Sequence, residues 1–275
     1  MNRLFVVNKP IFVSSNNYMR SLRRRYGTKK IGYSGTLDPF ATGTLIVATG
    51  QYTKLFRYLH KEPKVYRATL WLGAESPSFD IENIVSVRTS PALSESRIAE
   101  VLESMKGEIE YIPPKYSAKK VRGKRAYEAA REGMEIELSP IRSTIYGISL
   151  LGYSHPFIHF ELSVSEGSYI RSIGQMISRK LGMKGTLSSL HRVSEGKFFF
   201  ENERSLDPFE YLRIPKNDYL GDEENLHLGR KLERDAWRIK EEGEYLVESS
   251  SYFSIIKIEN ETVKYILNRL EKPDA

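Results

Sequence analysis

The stretch Lys30-Ile-Gly-Tyr-Ser-Gly-Thr-Leu-Asp38-Pro-Phe-Ala-Thr-Gly-Thr-Leu-Ile-Val-Ala-Thr-Gly50 decides how this chain is read. One carboxylate, Asp38, is framed by Gly32, Gly35, Pro39 and Gly43, and an apolar run of Leu45, Ile46, Val47 and Ala48 follows. Glycine admits positive φ and close approach by other groups, while proline fixes φ and stiffens a turn. The pattern predicts a rigid loop that presents Asp38 just ahead of a buried strand. Taken alone, an Asp-Pro in a loop reads as a side chain bonded to its own turn.

Working outward, the loop is preceded by a cluster of Arg20, Arg23, Arg24, Arg25, Lys29 and Lys30 with no acid between them. A second acid-free cluster comprises Lys115, Lys119, Lys120, Arg122, Lys124 and Arg125, interleaved with Tyr111, Tyr116 and Tyr127. Basic runs are commonly solvated faces, but two of them in a chain of net charge +7 point to a polyanionic partner such as RNA. The chain has no cysteine, which excludes disulfides, thiolate metal sites and a Cys nucleophile. It contains no apolar run near ~18 residues, so no membrane span is expected, and its N-terminus lacks the pattern of a signal peptide. A cytoplasmic protein is expected.

Elements follow from periodicity and punctuation. Ser14 or Ser15 caps a helix through Tyr18, Met19 and Leu22 that closes at Gly27. Residues 65–72 are β-rich and end at Gly73. Ser94 opens a helix with Ile98, Val101, Leu102 and Met105 at helical spacing. Ile158, Phe160, Leu162 and Val164 alternate with less apolar residues, as a half-buried strand requires. Gly167 and Ser168 then turn the chain into an amphipathic helix with Ile170, Ile173, Met176, Ile177 and Leu181, ending at Gly182. Residues 213–225 read as an acidic, turn-rich linker, and residues 244–247 and 252–258 as strands of a small β module.

The signature Gly-Tyr-Ser-Gly-Thr-Leu-Asp-Pro-Phe-Ala-Thr-Gly at 32–43 resembles that of the TruB family of tRNA pseudouridine synthases, Gly-His-x-Gly-(Thr/Ala)-Leu-Asp-Pro-x-Ala-x-Gly. Lys9-Pro10 with Ser14-Ser15-Asn16 resembles the family's Lys-Pro-x-Gly-x-Ser-Ser-Asn element. Thr53-Lys54, Tyr66-Arg67, Gly73, Asp80, Ile112-Pro113, Tyr116-Ser117-Ala118, residues 167–171 and Leu190-His191-Arg192 fall in the family's order, so the resemblance covers roughly residues 4 to 210.

The resemblance implies an α+β pseudouridine synthase fold with a central, mostly antiparallel sheet over residues 1–212. It further implies an RNA-clamping insertion at about 111–133, a linker at 213–225 and a reduced PUA-like module at 226–275. It implies isomerisation of the T-loop uridine 55 of tRNA, bound through its T-arm stem-loop. The reaction breaks the bond between N1 and ribose, rotates the base and rejoins it through C5. It needs no metal or cofactor, and none is expected; a monomer is expected.

Asp38 is the expected nucleophile. A carboxylate with a reference pKa of about 3.9 is ionised at neutral pH without a separate base. Attack at the sugar and attack at the base both fit this role. Arg171, at a helix start where the macrodipole disfavours a cation, needs a fixing partner, and the resemblance supplies Asp38. On residues alone Tyr66 and Leu190 read as core. The resemblance makes Tyr66 a stacking surface for the flipped uracil and a candidate general base, and makes Tyr169 and Leu190 pocket walls. Lys9 and Lys54 match basic positions near the cleft, suited to phosphate contact or loop support. Tyr33, Asp80, Lys119, Lys120 and Arg122 complete the expected substrate contacts.

Two departures stand out. Tyr33 replaces the family's usual His, and Ser76-Pro77-Ser78-Phe79-Asp80 replaces an Asp-rich turn, keeping only Asp80. Two other readings compete. An RNA chaperone would have no need of Asp38, Arg171 and Tyr66 together. A uridine C5-methyltransferase typically attacks with Cys, which this chain lacks.

Overall fold

The Asp38 loop joins two adjacent strands of one large sheet, and the layers on either side of that sheet define the molecule. The structure, a computed structural model, describes residues 2–114, 120–121, 124–125 and 138–273, the two short pairs by backbone only. Strand β1 spans Arg3–Lys9 and helix α1 Ser15–Arg25, followed by β2 (Ile31–Ser34), β3 (Thr42–Thr49) and β4 (Lys64–Leu72). Short strands β5 (Ala74–Glu75) and β6 (Ser86–Val87) precede helix α2 (Glu95–Glu103) and β7 (Gly107–Tyr111). A small hairpin, β8 (Lys120–Val121) and β9 (Lys124–Arg125), comes next. Strands β10 (Ile141–Ser154) and β11 (Phe157–Val164), helix α3 (Ile170–Lys180), β12 (Gly185–Glu195) and β13 (Phe198–Phe199) complete the larger part. Helix α4 (Glu223–Leu228) and strands β14 (Gly243–Glu248), β15 (Tyr252–Glu259) and β16 (Thr262–Glu271) form the C-terminal part.

The main sheet runs β1-β3-β12-β4-β11-β10-β7, with β2 beside β3 and β13 beside β12. Its pairings are antiparallel except for a short parallel contact between β12 and β3. Helix starts match the sequence: Ser14 accepts from Asn17 N–H at 3.2 Å, and Ser94 from Arg97 N–H at 3.2 Å.

Two faces of the sheet are used differently along its length. In β3, Leu45 and Val47 pack against α1 with Met19 and Leu22, whereas Ile46 and Ala48 pack against Phe253, Ile255 and Leu267 of the C-terminal sheet. A strand covered on both faces reads as a continuous apolar run, which explains residues 45–48. In β4 only one face is covered: Tyr66, Ala68, Leu70 and Leu72 are buried under α2 and α3, and Arg67 is exposed, paired with Glu161 across the strands at 2.8 Å. Alternation along β4 and β11 is the corresponding signature.

The C-terminal strands form a three-stranded antiparallel sheet whose inner side shares a core with Leu4, Val6 and Tyr52. Its other side holds Trp237, fully buried with Leu226, Tyr245 and Ile256. Residues 213–225 are tied on both sides: Arg213 N–H donates to Tyr58 O at 2.7 Å, and Asn217 Nδ2 donates to Ile239 O at 2.8 Å. Strand β16 is not marked off by sequence pattern. Register shifts in its pairing with β15 and mixed exposure along it blur the alternation.

Candidate active site

Helix α3 begins at Ile170, so Arg171 stands in its first turn, facing inward at 3% exposure. Its guanidinium meets two carboxylates. Nε lies 2.8 Å from Asp38 Oδ2, and the NH2 nitrogen donates to Asp38 Oδ1 at 2.9 Å. The NH1 nitrogen donates to Asp80 Oδ2 at 3.2 Å and to Ser78 O at 2.8 Å. The cation that the helix dipole disfavours is held by a fork on one side and a buried acid on the other.

Asp80 was expected among the substrate contacts. It is 3% exposed, and it accepts from Ser78 Oγ at 2.6 Å and from Glu82 N–H at 3.0 Å as well as from Arg171. Burial pushes its carboxyl above the ordinary range, against the opposing pull of the Ser78 hydroxyl and Arg171. The Ser-Pro-Ser substitution in this turn keeps the hydroxyl and the carbonyl that the guanidinium and Asp80 use. Asp38 differs from both: a third of its side chain is open to solvent. The arrangement is therefore one exposed carboxylate aimed by a buried cation, which a second buried carboxylate steadies.

The Asp38 loop is gripped on both sides. Lys9 is fully buried, and its ammonium donates to Pro39 O at 3.2 Å, Pro10 O at 2.8 Å and Val13 O at 2.6 Å, using all three protons. Of the two roles open for Lys9, loop support is the one its geometry allows. Burial lowers its pKa to about 8, an effect partly opposed by Asp38. On the other side Ser15 Oγ accepts from Leu37 N–H at 3.0 Å and donates to Leu37 O at 3.0 Å. Behind the loop, Glu195 is fully buried and pairs with Arg192 at 2.8 Å and Lys64 at 2.9 Å. Arg192 also donates to Thr44 O at 2.8 Å and to Gly35 O at 2.9 Å. Gly35 has φ +70°, and a Cβ there would sit 2.8 Å from Glu195 Oε2. Gly43 has φ +106°, and its Cβ would meet Arg192 O at 2.3 Å.

Tyr66 and Leu190 lie on adjacent strands, 6% and 5% exposed, in one apolar cluster with Leu37 and Phe40 of the Asp38 turn. Tyr169 caps α3 two residues before Arg171, and its N–H donates to Tyr111 Oη at 2.8 Å. Tyr111 is itself buried, 2.9 Å from Ser143 Oγ, and burial raises its pKa. It braces the start of α3, whereas the sequence grouped it with the basic insertion.

Two expected residues stand apart. Tyr33 packs toward α1, donating to Asn16 Oδ1 at 2.9 Å, in a cluster separate from that of Tyr66. Lys54 is exposed at the end of a short helix, Gly50–Lys54, beyond the end of β3 opposite the Asp38 loop. There Gln51 N–H meets Asn2 and Tyr52 Oη meets Glu271 O. Lys119 and Arg122, with Tyr116 and Tyr127, lie outside the described residues, as does the side chain of Lys120, whose backbone belongs to β8.

The sequence reading missed Lys64, Glu195 and the loop-facing role of Ser15. A signal existed for Lys64, which falls in phase with the buried face of β4. No group of three or more metal-ligating side chains occurs among the described residues, and no described helix is long and apolar enough to cross a membrane.

The sheet and helices that carry this site recur in solved structures. A chain of the Cbf5–Nop10–Gar1 complex superposes with a TM-score of 0.63 at 18% identity, covering 98% of this chain and 84% of that one. A chain of the archaeal box H/ACA sRNP Nop10–Cbf5 complex gives 0.64 at 17%, covering 98% and 87%. The fold is that of the pseudouridine synthases. The sequence pattern of the TruB family pseudouridylate synthase N-terminal domain matches residues 23–170. The tRNA pseudouridine synthase B of Sulfurovum sp. (strain NBC37-1) is 63% identical over 272 residues, 99% of this chain and 98% of that protein. That of a Nitratiruptor species is 53% identical, covering 99% of each. The chain belongs to the TruB family of pseudouridylate synthases, which are isomerases.

Proposed function

We propose that this chain converts the T-loop uridine of tRNA, conventionally position 55, to pseudouridine, with Asp38 as the nucleophile. The observation that carries the reading is the two-point contact of Arg171 with the part-exposed Asp38 carboxylate. A fork of this kind fixes the direction in which the carboxylate's free lone pairs face. The uridine is drawn out of its stack into the space bounded by Tyr66, Tyr169 and Leu190, at the usual cost of a few kcal/mol for base extrusion. The Tyr66 ring supplies a stacking face. Asp38 attacks, the bond between C1′ and N1 breaks with its electron pair going to the base, and the base turns. C5 then bonds to C1′, Asp38 is released, the C5 proton leaves to a base, for which Tyr66 is the candidate, and N1 takes up a proton in its place.

Arg171, Asp80 and Lys9 act on Asp38 without touching the uridine. Residues 1–212 form the catalytic domain, 213–225 the connection and 226–275 a reduced PUA-like module. The insertion at about 111–133, through Lys119, Lys120 and Arg122, clamps the T-arm through its phosphates. Tyr33 contacts the RNA loop from the α1 side. The protein acts in the cytoplasm as a monomer.

The test uses an unmodified tRNA transcript tritiated at the uracil C5. Wild-type protein is expected to release tritium from the T-loop position, and Asp38→Asn to release none. A chaperone reading predicts RNA binding without release from either protein, and that result would replace the one proposed.

A further inference from the structure

The turn between β1 and α1 carries a feature that the fold does not use. Phe12 has φ +59°, in the left-handed region, and is 65% exposed. Ile11 beside it is 45% exposed. The left-handed conformation has a clear cause. Lys9 Nζ binds both Pro10 O and Val13 O, and wrapping the chain around one ammonium requires a reversal between them. Glycine is the residue suited to such a position, and it is the residue at this point of the Lys-Pro-x-Gly-x-Ser-Ser-Asn element that the sequence resembles. A phenylalanine there is strained, and a ring left mostly in water contributes little apolar burial in return. Two unfavourable choices at one residue, unrepaid in the folded chain, point to a contact with something else.

The place of the turn says what that contact is. Its two ends are fastened to the residues either side of the nucleophile: Lys9 to Pro39 O at 3.2 Å, and Ser15 to Leu37 N and O at 3.0 Å each. Phe12 thus stands exposed on a turn whose two ends are hydrogen-bonded to the Asp38 loop. Helix α1 starts three residues on and displays Arg20, Arg23 and Arg24 to solvent further along its length. An exposed aromatic ring followed in the same segment by solvent-facing cations is a composition suited to an unpaired strand, base against ring and phosphates against the guanidinium groups beyond it.

We propose that Phe12 is a stacking platform for an unpaired base of the substrate RNA, other than the uridine that reacts. The inference rests on the reading of the chain as a synthase acting on structured RNA. A base seated on Phe12 would fix the RNA loop relative to Asp38 at a point distinct from the Tyr66 pocket.

Equilibrium binding of an unmodified T-arm stem-loop transcript tests this, with thermal unfolding measured on the same proteins. Removing one stacking contact is expected to weaken binding by about tenfold in Phe12→Gly and Phe12→Leu, with Phe12→Trp close to wild type. The loss should appear in KM more than in kcat. The Tm of Phe12→Gly should equal or exceed that of wild type, since glycine relieves the strained φ. Wild-type affinity in Phe12→Gly overturns the proposal, and so does a Tm lowered by several degrees, which would make the ring part of the core. If wild-type protein neither binds nor isomerises the transcript, the functional reading fails and this inference with it. Binding and turnover by wild type with Phe12→Gly unaffected removes the platform alone.

Discussion

Arg171 joins Asp38 to Asp80: one guanidinium lies 2.8 and 2.9 Å from the two oxygens of the first and 3.2 Å from the second. Asp80 is buried and Asp38 is one-third open, so the three groups form a chain from the interior to solvent. Charge at the open end is aimed by what lies behind it.

Arg171→Lys keeps the charge and loses the fork. An ammonium cannot meet both Asp38 oxygens and Asp80 in one plane. Turnover is expected to fall by roughly a hundredfold, the scale of a misplaced reacting group, while RNA affinity stays near wild type. Single-turnover rates with saturating enzyme, beside an equilibrium binding curve, check this; undiminished turnover would remove the pairing from the mechanism.

Asp80→Asn should separate steadying from attack. Burial already works against the ionised form of this carboxyl, so the neutral amide is expected to leave Tm within a few degrees of wild type. The Arg171 NH1 nitrogen loses a charge-assisted acceptor, worth about 1.5–3 kcal/mol, and kcat should drop about tenfold. A kcat equal to that of wild type would show that Ser78 O and Asp38 hold Arg171 unaided.

Glu195→Gln tests the ion pairs behind the loop. Removing one charge from a buried set leaves Arg192 without its carboxylate and Lys64 with the more distant Glu166 at 3.7 Å, and such changes cost about 3–5 kcal/mol. A large fall in the denaturant midpoint is expected. Replacing Glu195, Arg192 and Lys64 together with apolar residues should be less damaging than the single change.

Lys9 carries a pH signature. Its folded pKa of about 8 lies below the ordinary 10.5, so between these values the unfolded chain holds the proton that the folded chain has released. Stability contributed at this residue therefore rises as pH climbs through about 8 toward 10.5, by up to about 3 kcal/mol. Below pH 8 the burial penalty is present in full. The check is the difference in unfolding free energy between wild type and Lys9→Met from pH 7 to 10.5, which cancels the tyrosines that titrate in the same range. A flat difference would refute the assignment.

Much of the molecule is legible in its sequence. Period and caps located α1, α2, α3, β4 and β11, because local spacing reflects which face is covered and the caps reflect unsatisfied N–H groups. The glycine frame marked the Asp38 loop, and a cation at a helix start marked Arg171 as needing a partner. What tertiary structure decided was direction. Lys9 could have faced phosphate or the loop, and it turns inward to three carbonyls. Asp80 turned out to be a buried support, and Lys54 lies at the far end of β3. The carboxylates meeting at Arg171 are 133 and 91 positions away in the chain, and Lys64 reaches Glu195 from a strand that precedes α3. Periodicity reports only which side of its own element a residue occupies. The partner waiting on that side is set by how distant segments pack, and for charges buried together that packing decides between a surface contact and a support for the site.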